Sequence, residues 1–94
     1  MPYIKQDERR IYDAHIAEIS RNWKTLAGMA PGHLNYVISK LCANALIHQG
    51  INYTNINTLI GVLECAKLEL YGKIAAPYED QKAHDNGEVY DYPA

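Results

Sequence analysis

Residues 54–77 read TNINTLIGVLECAKLELYGKIAAP, and the parsing of this stretch decides what fold the chain can have. Ile56, Leu59, Ile60, Leu63, Ala66, Leu70 and Ile74 recur at helical intervals and give one continuous apolar face. Asn52 or Thr54 supplies an oxygen to cap the first turn. Pro77 has no N–H to give a helix interior, so the helix is expected over about 54–76. At about 1.5 Å per residue it is on the order of 30 Å long. Gly61 and Gly72 lie inside it, each costing about 1 kcal/mol relative to alanine. With Cys65 they fall close to one line, along which another backbone, from this chain or from a second subunit, could approach closely.

Upstream, the same periodicity predicts two more helices. Pro31-Gly32 opens one over about 32–49, with Leu34, Val37, Ile38, Leu41 and Ala45 on its main stripe. Cys42, Leu46 and Ile47 carry apolar surface further round, and no Asp or Glu occurs from His33 to Gln49. Such a helix has to be covered on more than one side. Gly50 ends it, and the short Gly-Ile-Asn-Tyr connection predicts an antiparallel hairpin with the helix that follows. The first helix is expected over about 8–27, where Tyr12, Ile16, Ile19, Trp23 and Leu26 share a stripe. Asp7 is its candidate N-cap, and Gly28 followed by Pro31 marks its end. The expected fold is all-α: three helices in a single domain, 1–94, with an extended C-terminal tail over 77–94.

That tail is chemically distinct. It holds Glu79, Asp80, Asp85, Glu88 and Asp91 against Lys82 alone, a balance of −4 in a chain of net charge −2, which leaves the body at about +2. Asp85-Asn86-Gly87 reads as a turn, and Tyr78, Tyr90 and Tyr92 are interleaved with carboxylates. This composition suits a strap laid over the chain's own hairpin or over a neighbouring copy.

Size and composition bound the function. A 94-residue chain buries only roughly 60 to 65% of the surface it exposes when unfolded, so its stability is marginal unless copies associate. A homo-oligomer is therefore expected, most simply a dimer built on the helix hairpin. With 48% hydrophobic residues the chain folds, yet it has no apolar run of about 18 and carries charges where a signal peptide is apolar. A cytoplasmic protein with no membrane partner is expected. The weakly basic body lacks the concentrated Lys/Arg patch that double-stranded DNA requires. Cys42 and Cys65 sit within helical apolar patterns and are expected to be reduced core thiols.

Catalytic signatures are lacking. A helical nucleotide pyrophosphatase needs carboxylates on facing helices to hold Mg²⁺, and here Glu64 and Glu69 lie on different faces of one helix. The only His/Glu pair at bundle spacing is His15–Glu18, in the reverse of the di-iron order, and the four histidines fall in four separate segments. There is no Gly-x-Ser-x-Gly, Walker loop or dinucleotide fingerprint. No metal, no cofactor and no enzymatic activity are expected. Two polar stripes remain: Asn57, Glu64, Lys67 and Tyr71 on the third helix, and Tyr36, Lys40, Asn44 and His48 on the second. A ring beside a lysine and an amide suits a nucleotide-sized anion, with stacking for the base and charge for the phosphate. The same residues also read as two solvated faces with an ordinary Glu64–Lys67 pair.

The stretches LNYVISKL, NTLIGVLECAKLELYGKIAAPYEDQK and NGEVY resemble the signature of an uncharacterised family of short helical proteins, encoded largely by bacteriophages, prophages and some prokaryotes. The resemblance covers roughly residues 30 to 90. It implies that Asn35, Tyr36, Glu64, Lys67, Glu69, Tyr71, Tyr78, Glu79, Asp80, Asn86 and Tyr90 belong to a shared pattern, suited to an interface or pocket. Gly72-Lys73 stands where the family pattern carries a basic pair. In outline such a protein is similar to phage proteins that sequester immune signalling nucleotides between subunits, cyclic oligonucleotides or ADP-ribose derivatives. The expected function is accordingly non-enzymatic binding of a nucleotide-type small molecule in the host-cell cytoplasm. The expected ligand-binding residues are Asn35, Tyr36, Asn57, Glu64, Lys67, Tyr71, Tyr78 and Tyr90. The alternative is a structural or host-protein-binding oligomeric module.

Overall fold

The computed structural model describes residues 2–90, and among them every regular element is helical. Helix α1 spans Gln6–Ser20 and continues as a 3-10 turn over Arg21–Lys24; α2 spans Pro31–Gln49 and α3 Tyr53–Leu70. A π-helical segment, Tyr71–Ala75, then leads without interruption into α4, Ala76–Asn86. The chain divides into two units, Pro2–Leu59 and Ile60–Ala94, with the boundary inside α3.

In the unit Pro2–Leu59, α1 starts two residues before the expected point. Lys5 flanks it without a side-chain cap, and the expected cap Asp7 lies with Glu8 inside the first turn, where acidic side chains favour the helix dipole. Arg9 Nε closes the entry by donating to the Ile4 carbonyl at 2.9 Å. The expected end at about residue 27 falls earlier, because the last turn tightens into 3-10 geometry. There Asn22 Nδ2 donates to the Ile19 carbonyl and Thr25 Oγ1 to the Asn22 carbonyl, at 3.0 and 3.1 Å. Gly28 takes the expected positive φ of 76°.

Helix α2 begins at Pro31, where proline's missing N–H has no helical partner to lose. It ends at Gly50, whose N–H still reaches the Leu46 carbonyl at 2.7 Å and whose φ of 108° turns the chain out of the helix. The next turn is locked by two asparagines. Asn52 Oδ1 caps α3 by accepting from the Asn55 N–H at 2.9 Å, as one of the two expected caps. Asn55 Nδ2 reaches back to the Gln49 and Gly50 carbonyls at 3.0 and 2.9 Å.

In the unit Ile60–Ala94 the chain departs from expectation at Pro77. The predicted extended tail does not begin there, since helix persists to Asn86. The cause is the π segment: the Ala76 N–H bonds to the Tyr71 carbonyl, five residues back instead of four. A proline in an α-helix clashes with the carbonyl four residues before it, and a widened turn ahead of the ring relieves that conflict. Gly87, with φ 98°, ends α4 where the sequence places a turn, and the Glu88 carboxylate accepts from the Val89 and Tyr90 N–H groups at 2.9 and 2.8 Å. Residues 91–94 of the expected tail, Tyr92 among them, lie outside the described residues.

Among the described residues neither unit has a core of its own. No described residue is buried, and no two separate helices within a unit come into close backbone contact. Leu41 is 61% exposed, Ile47 67%, Ile60 60% and Ile74 63%. Cys65, expected in a core, is an exposed free thiol, while Cys42 is half-buried. Gly61 and Gly72 face open space on the side a Cβ would occupy, so no described residue uses the close approach they permit.

Candidate functional site

Each unit carries a cleft. The first, about 530 Å³, lies where the 3-10 turn after α1 meets the start of α2. Ile19, Trp23, Leu26 and Val37 form its apolar wall, and Asn22, Thr25, His33 and Tyr36 bring polar groups. Its corner is set by one hydrogen bond: Trp23 Nε1 donates to the Met29 carbonyl at 2.8 Å. Buried or half-buried indoles seek such a partner, and this one fixes the loop Gly28–Ala30 against the ring. Ala30 is held at φ 49°, ψ 64°, a left-handed conformation, and its carbonyl accepts from the His33 and Leu34 N–H groups to start α2.

The second cleft, about 740 Å³, runs along the π segment and α4. Tyr71 and Ala75 come from the π segment, Glu79, Asp80, Lys82 and Ala83 from α4, and Glu88, Val89 and Tyr90 from the turn after it. Three carboxylates thus face one lysine, and that lysine is drawn over the Tyr78 ring, its Nζ 5.5 Å from the centroid. Gln81 Nε2 holds Asp85 Oδ1 at 3.0 Å further along α4. The local field opposes a phosphate and favours a cationic partner.

The sequence-predicted binding residues are distributed between these surroundings. Tyr36 lines the first cleft, whereas Asn35 Oδ1 accepts from Ser39 Oγ at 3.0 Å on the exposed face of α2. Asn57 stands exposed on α3 in the same unit. Tyr71 and Tyr90 meet at the second cleft, and Tyr78 is exposed on α4. Lys67 forms an ion pair with Glu64 at 2.9 Å, both side chains more than half exposed. Such an i,i+3 pair contributes about 0.2–0.5 kcal/mol, so phosphate could displace the carboxylate at small cost.

Asn22, Trp23, Thr25 and His33 line the first cleft outside the expected binding set: Trp23 is expected on the apolar stripe of the first helix, and His33 is expected to hold no metal. The signal for them is the spacing Gly28 to Pro31, a loop short enough to bring the end of one helix to the start of the next. Among the described residues no three His, Cys, Asp or Glu converge on a metal-sized site, and no helix is long and apolar enough to cross a membrane.

A family model described as Domain of unknown function (DUF6899) matches residues 1–89, nearly the whole chain. Comparison with curated proteins and with solved structures returns no match.

Proposed function

The chain belongs to the DUF6899 family, and from that premise, which carries no reaction, we propose that it is a non-enzymatic helical binding module whose apolar core is completed by a second copy of itself. The observation that carries this reading is that no described residue is buried while large apolar side chains stand exposed along α1, α2, α3 and the π segment. Each such side chain gains about 1.5–3 kcal/mol when fully covered. Exposed apolar surface on this scale marks an interaction face, and many obligate homodimers have no stable folded monomer. The apolar stripes of α2 and α3 would then pair as a hairpin in the assembled protein, and the open sides of Gly61 and Gly72 would take a partner backbone. Sedimentation equilibrium over about 1 to 100 µM tests the reading. A dimer or higher assembly is expected throughout, and a compact monomer at the highest concentration overturns it.

A second reading rests on the first cleft. Its volume lies within the 300–1,000 Å³ typical of small-molecule pockets, and Trp23, Tyr36 and His33 offer rings and a hydrogen-bonding edge to a planar base. On this reading the assembled protein sequesters a nucleotide-type signal, a cyclic oligonucleotide or an ADP-ribose derivative, in the cytoplasm of a host cell. In that cleft Tyr36 and Trp23 stack the base and His33 bonds its edge. A thermal-shift and calorimetry screen against cyclic di- and trinucleotides and ADP-ribose derivatives is the test. A ligand that raises the melting temperature, with loss of the shift in Tyr36→Ala, is the expected result; no shift with any of them removes this reading and leaves the first.

A further inference from the structure

Among the described residues no Asp, Glu, Lys or Arg lines the first cleft, so what it holds is decided by rings and by hydrogen-bond donors and acceptors. Much of that capacity is already in use. Trp23 has one N–H and no acceptor, and the N–H is spent on the Met29 carbonyl at 2.8 Å. Thr25 Oγ1 gives its only hydrogen to the Asn22 carbonyl at 3.1 Å and keeps lone pairs alone. Asn22 Nδ2 gives one of its two hydrogens to the Ile19 carbonyl at 3.0 Å, which leaves the Oδ1 acceptor and one N–H. The start of α2 adds little. Pro31 has no N–H, and the N–H groups of His33 and Leu34 both go to the Ala30 carbonyl, at 3.0 and 3.2 Å, so Gly32 has the one N–H left in that turn. The Tyr36 hydroxyl and the His33 ring complete the set, each able to donate as well as accept.

From this inventory we infer that the first cleft recognises the base of its ligand, a neutral planar heterocycle with an amine beside an unprotonated ring nitrogen, and leaves any phosphate outside. Aminopurines and aminopyrimidines are the class that fits. The inference rests on the second reading above and names the part of the ligand that the cleft holds. Asn22 Oδ1 and Thr25 Oγ1 call for hydrogens, which an amine supplies, while the remaining Asn22 N–H calls for an acceptor, which the ring nitrogen supplies. An asparagine amide reads adenine by the same donor and acceptor pair. The Trp23 and Tyr36 rings give the heterocycle faces to stack on. A phosphate, in contrast, only accepts. In this cleft it would set its oxygens against those of Asn22 and Thr25 with no Lys or Arg to offset the repulsion. The single N–H at the start of α2 is too few to replace the several that hold an anion at a helix N-terminus.

The test uses the full chain, whose single tryptophan is Trp23, so that fluorescence quenching reports occupancy of this cleft. Calorimetry compares adenosine with purine riboside, which lacks only the amine, with inosine, which has an oxygen in its place, and with AMP; cytidine and uridine repeat the amine comparison on a smaller ring. Adenosine and cytidine are expected to quench Trp23 and to bind about tenfold more tightly than their counterparts without the amine, the effect of acceptors left unpaired. AMP is expected to match adenosine. Thr25→Val, which keeps the shape and removes the acceptor, is expected to lose most of the preference, and Thr25→Ser to keep it, with circular dichroism reporting helix content in both. Should Thr25→Val lose helix, the ligand series on the wild type decides alone. Equal affinity for adenosine, purine riboside and inosine, AMP far tighter than adenosine, or an undiminished preference in a folded Thr25→Val each overturn the inference. Cyclic dinucleotides or ADP-ribose that quench Trp23 where no nucleoside does so also overturn it and leave the second reading standing. No quenching and no thermal shift with any of these ligands removes both.

Discussion

Ala30 is the residue at which the backbone departs most from what its side chain prefers. A left-handed conformation costs a residue with a Cβ about 1–2 kcal/mol relative to glycine. Two neighbours hold it there: Trp23, which donates to the carbonyl just before it, and Pro31, which starts α2 just after. Glycine relieves the steric cost but gives part of it back in unfolded-state entropy. Ala30→Gly is therefore expected to stabilise the folded protein by about 0.5–1 kcal/mol, seen as a higher urea midpoint at unchanged slope. A lower midpoint would mean that this corner does not hold Ala30 left-handed in solution. The positive φ values at Gly28 and Gly50 were legible in the sequence, because glycine at a helix end advertises them. Ala30 was not legible, since its conformation is imposed by a tryptophan seven residues away.

Among the elements, the π segment has the largest effect on the reading of the chain. Pro77 signals a helix stop, and the expectation of a tail from residue 77 followed from it. One widened turn removes the reason for the stop. Alanine at position 77 restores an N–H that can bond the Lys73 carbonyl in α register. Pro77→Ala is expected to keep helix through Asn86 and to add a protected amide at position 77 in hydrogen exchange. Fraying of α4 in that variant would show that the proline, rather than the helix around it, holds the element in place. Helix periodicity, the Asn52 cap and the two glycine ends were legible because each is a local preference of the backbone. The candidate site was legible only in pieces: the Glu64–Lys67 pair follows from spacing alone, and Tyr71 was placed on a polar stripe that does lead to a cleft. Which residues from other segments join a cleft depends on how turns redirect the chain, and Trp23 with His33 is the instance here.

For the molecule as a whole, folding and association are expected to be one event. If the core forms only between copies, the melting temperature depends on concentration. For a dimer of two 94-residue chains unfolding with about 0.7 kcal/mol of enthalpy per residue, each tenfold increase in concentration raises it by about 4 °C. A melting temperature independent of concentration would assign the stability to the single chain. The absence of buried residues among those described in one copy has a further consequence inside a cell. A newly made chain without a partner presents its peptide bonds to proteases, whereas an assembled one withdraws them. If copies do complete the core, lifetime would depend on abundance: below the dissociation constant the protein would be cleared as it is made, and above it the protein would persist. Expression would act as a threshold, so that doubling synthesis near that point raises the standing amount far more than twofold.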